Sequence, residues 1–208
     1  MRDITGIAEK NLNPSIGTIK QGGSGLNLCG FGVPLGRLDA GQLRVIAGLA
    51  DEFGRGELRF SPWHVIFIPH VAKPEKLLAN LRRHGFITGK LMLDVDISAC
   101  SGRDGCRGAK LDTPGHALAV MRAFAAGKVQ LSAPLSIHVS GCPKGCAHRG
   151  ASDILALERE DGSGYYVYQN SAALTPEMKT RFQGTISVDE LPQTALEIAR
   201  GREQAHLS

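Results

Sequence analysis

At 208 residues the chain can bury a real core in one large or two small domains, so neither a disulfide nor a metal is required merely to hold it together. Hydrophobic residues at 42% and charged residues at 21% are ordinary for a globular protein. No run approaches the roughly 20 apolar residues of a membrane helix, and the first residues lack the apolar core of a secretory signal. The net charge of +4 is mild and no long Lys/Arg run is present, which argues against a nucleic-acid arm.

The expectation is a cytoplasmic protein with neither a membrane nor a nucleic acid as partner. In that reducing compartment its five cysteines are poor disulfide candidates, and clustered ones point to metal binding or redox chemistry.

Residues 1–25 show little apolar periodicity and contain Gln21-Gly22-Gly23-Ser24-Gly25, which reads as a linker or arm; no Lys-Ser/Thr follows to make it a phosphate loop. Leu26 to Val33 reads as a strand. Asp39 is placed to cap a helix with Leu43, Ile46, Ala47, Ala50 and Phe53 on its apolar face, ended by Gly54. Glu57 to Ser61 alternates, with Leu58 and Phe60 on one face and Arg59 on the other, and Val65 to Pro69 is its partner across Ser61-Pro62-Trp63-His64. Pro74 opens a second helix with Leu77, Leu78 and Leu81 inward, closing at Gly85. This order fits an α+β layer, a sheet covered by helices on one face, over 26–88.

A second domain over 89–208 begins with a strand in which Leu91, Leu93, Val95 and Ile97 alternate before Cys100. Asp112 and Pro114 start a helix with Leu118, Met121 and Ala125 inward, and Leu135 to Val139 is a strand running into Ser140-Gly141-Cys142. A hairpin from Asp153 to Tyr168 about Asp161-Gly162 and a helix near Asp189 to Arg200 complete the reading. Both cysteine pairs therefore follow strands directly, at the end where open α/β sheets place their ligands.

The cysteine pattern is Cys100-x5-Cys106, a gap of 35 residues, then Cys142-x3-Cys146. Four thiolates suit an iron–sulfur cluster or zinc. A five-residue loop can wrap the bulkier cluster, whereas structural zinc pairs are usually two to four residues apart. Glycines at 102, 105, 108, 141 and 145 leave backbone N–H groups room to approach the sulfurs. Arg103, Arg107, Lys110, Lys144 and Arg149 lie close by in sequence, a concentration of charge that suits a polyanionic small molecule.

ACSGRDGC and SGCPKGCAH together resemble the signature of the sulfite and nitrite reductases that couple a 4Fe–4S cluster to sirohaem. GELRFSPWHVIFIPHV resembles the strand-turn-strand of that family's ferredoxin-like half-domain. Within the superfamily, GFGVPLGRLDAGQL, LRFSPWHVIFIP, GFIT and VSGCPKGCAH look most like the precorrin-3B synthases, and Lys144 stands where many reductases carry Asn. The resemblance implies a ferredoxin-like half-domain followed by a sulfite/nitrite reductase-type α/β iron–sulfur domain, with the cluster on Cys100, Cys106, Cys142 and Cys146. It implies that Arg59, Arg103, Arg107, Lys110, Lys144 and His148 bind an anionic tetrapyrrole, with Lys144 and Arg103 nearest the chemistry. That tetrapyrrole is the precorrin-3A substrate of a cobalamin-pathway monooxygenase, or sirohaem in a small sulfite or nitrite reductase. A third reading is a non-catalytic electron-transfer or tetrapyrrole-binding module. No flavin or nicotinamide motif is present, so the electron donor is another protein. The resembled enzymes are built from two related halves and this chain matches the second, so the resemblance also implies a homodimer or a separate first-half chain.

Cys29 has no second cysteine nearby and reads as a small buried residue. His64, His138 and His148 are candidate ligands for a second, non-haem iron, set against His138 as an ordinary strand histidine. Trp63 is expected to pack the sheet edge, and Asp94 and Asp96 to face solvent.

Overall fold

The structure is a computed structural model describing residues 16–89, 95–127, 129, 131–148, 150–171 and 181–206. Residues 1–15 of the expected arm, residues 91–94 of the expected strand and Arg149 lie outside the described residues. The chain divides into two packed units, Met1–Lys90 and Leu91–Ser208, each with its own sheet.

The first unit holds an antiparallel sheet in the order β1-β2-β4-β3, from β1 (Gly17–Lys20), β2 (Asn27–Gly32), β3 (Arg59–Phe60) and β4 (Val65–Val71). Helices α1 (Ala40–Phe53) and α2 (Pro74–Arg83) complete it, and Cys29, Phe31, Ile46, Ile68, Leu77 and Leu81 are fully buried in its core. The start of α1 is built as its sequence dictates. Asp39 Oδ1 accepts the Gln42 N–H at 2.7 Å while Gln42 Oε1 accepts the Asp39 N–H at 3.0 Å, a reciprocal capping box.

The structure differs from the sequence reading in several places here. Residues 17–20, expected in the arm, form an edge strand along β2. In α1 the core receives Ile46, Leu49 and Ala50, while Leu43 and Ala47 are exposed. The expected strand over 57–61 shortens to Arg59–Phe60, and Phe60 does not share the inward face of Leu58: Leu58 packs on the core, whereas Phe60 is 65% exposed. Trp63, expected against the sheet edge, is 49% exposed.

The second unit holds a sheet in the order β5-β6-β7-β8-β9: β5 (Val95–Ala99), β6 (Leu135–Ser140), β7 (Ser152–Glu158), β8 (Gly164–Ser171) and β9 (Arg181–Ser187). The first three strands are parallel, and β8 and β9 are antiparallel additions. Between β5 and β6 come a single turn, α3 (Gly102–Gly105), and α4 (Thr113–Gly127); α5 (Leu191–His206) packs against α4. β6 is buried along both faces, as a central parallel strand should be. The buried face of α4 is Thr113, Ala117, Val120 and Phe124, one residue from the expected Leu118, Met121 and Ala125. β9 had no counterpart in the sequence reading. Among the described residues no helix is long and apolar enough to cross a membrane.

The capping box gives a direct check of the first unit. Replacing Asp39 by Ala removes the acceptor for the Gln42 amide and should lower stability by about 1 kcal/mol, read as a lower urea midpoint with an unchanged slope.

Candidate functional site

Parallel pairing places the site. β5 and β6 run in register from Val95↔Leu135 to Ala99↔Val139, so both strands end at the same edge of the sheet. Cys100 leaves that edge from β5, and Gly141-Cys142 leaves it beside Cys100 from β6. Three bonds hold the junction. The Cys100 N–H donates to Val139 O at 3.2 Å, and the Gly141 N–H donates to Cys100 Sγ at 3.2 Å. The hydroxyl of fully buried Thr113 donates to Cys100 O at 3.1 Å and lies 3.2 Å from its sulfur.

Glycine is needed where these loops turn and touch. Gly102 has φ +66°, and a Cβ there would lie 2.8 Å from Pro114 Cδ. A Cβ on Gly141 would lie 2.5 Å from that of Ala109, so a side chain at 141 would push the two loops apart. Cys106 Sγ accepts the Gly108 N–H at 3.4 Å, and the Arg103 N–H closes the loop on Leu111 O at 2.9 Å. Cys100 and Cys142 are half-buried, while Cys106 and Cys146 are exposed.

Among the described residues no three His, Cys, Asp or Glu side chains converge as a metal-binding group, so the thiols stand on two adjoining loops, not on one closed ligand sphere. The donor chemistry nevertheless fits an iron–sulfur cluster. Four thiols are carried on two loops joined at Cys100, and two of the sulfurs already accept backbone N–H groups of the kind that surround cluster sulfurs.

Of the cations, Arg103, Arg107 and Lys144 have exposed side chains on these loops, and the Arg103 Nε lies 3.6 Å from Asp104 Oδ1. Lys110 is engaged differently: its Nζ donates to Glu160 O at 2.6 Å, and its methylenes cover Gly162 in the turn between β7 and β8. Arg59 belongs to the first unit, on edge strand β3. Its Nε donates to Glu57 Oε1 at 2.7 Å, a bond that holds the Glu57 carboxyl below the usual carboxylate range.

The three histidines are not brought together as one set. His64 is in the first unit, its ring against Gly36. His138 and His148 do meet, with ring centroids 5.8 Å apart and edge to face. Among the described residues no helix lies between the end of β6 and the start of parallel β7, and His148 holds this return through an Nε2 bond to Ala151 O at 2.9 Å. His138 is buried in β6, and its Nε2 has no hydrogen-bond partner among the described residues. Burial, with a smaller contribution from His148, pushes its pKa down to about 4.

Glu158, which the sequence reading did not single out, is buried at the end of β7 and accepts the Lys110 N–H at 2.7 Å and the Leu111 N–H at 3.2 Å. Only its place beside a turn hinted at this, since its partners lie more than forty positions earlier in the chain. Cys29 is fully buried in β2, and burial pushes its thiol up to about 11, which leaves it inert.

Residues 19–81 match the nitrite/sulfite reductase ferredoxin-like half domain. Over 152 residues the chain is 32% identical to the ferredoxin–nitrite reductase of Synechococcus elongatus, covering 71% of this chain and 30% of that protein. A precorrin-3B synthase from Sinorhizobium sp is 28% identical over 155 residues, 73% of this chain and 32% of that protein. In fold, the chain resembles the solved Mycobacterium tuberculosis NirA protein with a TM-score of 0.64 at 24% identity, over 86% of this chain and 35% of that one. This chain thus spans about a third of the length of these relatives. The mixed architecture of two sheets with helices agrees with a ferredoxin-like half-domain followed by an α/β unit.

Two predictions follow from the packing at the loops. Gly141→Ala should destabilise the second unit by about 1–3 kcal/mol through overpacking against Ala109, seen as a lower thermal midpoint. For His138, whose folded pKa is depressed, the stability contribution is complete above its unfolded value near 6.5 and is lost as pH falls toward 4. That loss amounts to on the order of 3 kcal/mol. Urea midpoints between pH 7 and pH 4.5 should fall steeply for the native chain and less so for His138→Leu.

Proposed function

The chain belongs to the nitrite and sulfite reductase superfamily, and on that premise we propose that it is the iron–sulfur part of an oxidoreductase acting on an anionic tetrapyrrole, of the precorrin-3B synthase type. The observation that carries the reading is the parallel register of β5 and β6, which starts both cysteine loops from one sheet edge and joins them at Cys100. Cys100, Cys106, Cys142 and Cys146 would hold a 4Fe–4S cluster, which supplies single electrons when bound. Metal binding to thiolates is coupled to the ordering of their loops, and backbone bonds at Cys100 hold one corner of this site.

A tetrapyrrole with several carboxylates needs fixed cations around it. The exposed guanidinium groups of Arg103 and Arg107 suit forked carboxylate contacts, and Lys144 suits a point charge near the reacting face. His148 is a further ligand contact of this proposal within the second unit. Lys110 contributes chiefly by joining its loop to the β7–β8 turn. Electrons come from a small external donor protein. A second copy of this chain or a first-half partner is proposed to supply the remaining wall of the site.

A second reading is a sirohaem-dependent nitrite or sulfite reductase. It is favoured by the higher identity to ferredoxin–nitrite reductases, 34% for that of Zea mays against 28% for the precorrin-3B synthase. Lys144, in the position where the resemblance leads one to expect Asn, favours the first reading.

The experiment is anaerobic purification with iron and sulfide analysis and a visible spectrum. The synthase reading expects a broad brown iron–sulfur absorption alone, the reductase reading a strong Soret band as well, and absence of iron and sulfide would refute both. Cys146→Ser should lose the cluster or retain a three-iron form, because an alcohol is a poor ligand for iron where a soft thiolate is needed. Cys29→Ala should retain it in full. Wild-type iron content in the first variant, or iron loss from a folded second one, would reassign the ligands.

A further inference from the structure

We infer that Glu158 is a positioning residue for the proposed cluster: its buried carboxylate fixes the exit of the Cys100–Cys106 loop beside Gly141 of the Cys142–Cys146 loop, and its negative charge makes the cluster harder to reduce. The inference rests on the cluster reading above.

A carboxylate that is only 7% exposed is uncommon, because burial removes its water and must be offset by hydrogen bonds. Both oxygens of Glu158 meet this need with loop amides outside any helix or strand. Oε1 takes the Lys110 N–H at 2.7 Å and Oε2 the Leu111 N–H at 3.2 Å. Without Glu158, two backbone donors at the end of the first cysteine loop would be left to seek water. The same Oε2 lies 3.1 Å from the position a Gly141 Cβ would occupy, so the carboxylate borders the second loop at the residue whose N–H donates to Cys100 Sγ. One side chain therefore touches the backbone of both loops.

No cation neutralises it among the described residues. Lys110, the nearest in sequence to its contacts, sends its Nζ to Glu160 O instead. Tyr165 pairs with Glu158 in the sheet, its phenol is raised far above the usual range first by burial, then by Glu158 and then by Cys100, and its hydroxyl meets His116 Nδ1 at 2.7 Å. An electron entering a cluster on Cys100 would meet the negative charge of Glu158, which no cation pairs among the described residues, and that charge opposes reduction by Coulomb's law.

The test uses the full chain reconstituted anaerobically with ferrous iron and sulfide, and a dithionite titration with mediators followed by electron paramagnetic resonance. Glu158→Gln keeps the size of the side chain but removes the charge and one of the two acceptor oxygens. Its potential should move to a more positive value than wild type, while Glu158→Asp, which keeps the charge, should stay closer to wild type and lose iron faster to a chelator. A loaded Glu158→Gln protein with the wild-type potential would overturn the inference and leave the cluster reading intact. A wild-type chain that takes up no iron and sulfide would overturn both. Should Glu158→Gln fail to fold, hydrogen exchange on the native chain decides: protected amides at Lys110 and Leu111 support the anchoring role, and exchange at the rate of an open loop rejects it.

Discussion

The second unit depends on one pairing, that of Ala99 in β5 with Val139 in β6. Parallel strands in register end together, so the loops that follow them begin a few ångströms apart although 41 positions separate Cys100 from Gly141. A slip of one residue would turn every side chain of β5 to the opposite face, and it would move Cys100 away from the Gly141 amide that its sulfur accepts. The register is secured by burial: Val95, Ile97 and Ala99 face inward, and β6 is buried on both faces. Hydrophobic packing, the dominant force in the unit, thereby also sets the spacing of its thiols.

Once the strands have delivered the loops, the loops must touch, and here the absence of side chains matters more than their presence. Gly141 lies against Ala109 with no room for a Cβ, and Gly102 turns in a left-handed conformation under Pro114. Polar groups then fill the remaining positions: Thr113 against Cys100, and Glu158 against the amides of 110 and 111. Among the described residues the return from β6 to β7 has no helix of the kind that usually covers such a crossover. His148 packs there edge to face on buried His138, whose Nε2 has no hydrogen-bond partner among the described residues.

Much of this was legible because the sequence carries strong local punctuation. Asp39, Gly54 and Pro74 marked helix ends that the structure reproduces, and the apolar runs before Cys100 and Cys142 marked the strands that deliver them. Where punctuation was weak the reading slipped. β1 contributes only Ile19 as an apolar signal on an exposed edge, and it lies beside a glycine-rich run that reads as a linker. In α4 the abundance of alanine leaves the apolar stripe poorly defined, and its true face was displaced by one residue. Phe60 shows a different limit. Alternation predicts a face only while a strand continues, and β3 ends after two residues. For the candidate site, the cysteines were evident from spacing, but Thr113 and Glu158 were not, because a buried acceptor is recognisable only once its distant donors are known.

The four cysteines are not equivalent, and their differences follow from the same geometry. Cys100 is held at its amide, its carbonyl and its sulfur, and Cys142 follows directly from the buried Ser140-Gly141 pair, whose Ser140 hydroxyl donates to Cys142 O at 2.8 Å. Cys106 and Cys146 lie farther along their loops and are exposed. Each loop therefore presents one anchored thiol at the sheet edge and one outer thiol reached through glycine-containing turns. For a four-thiolate cluster this division has a physical advantage. The anchored pair would fix the position of such a cluster at the sheet edge, and the outer pair would complete its ligands from the solvent side. The basic side chains of Arg103, Arg107 and Lys144 are carried on those outer stretches, so ordering the loops around a cluster would also set the cations that an anionic macrocycle meets. Electron delivery and recognition of the acidic ligand would then be established by one folding event at one edge of the sheet.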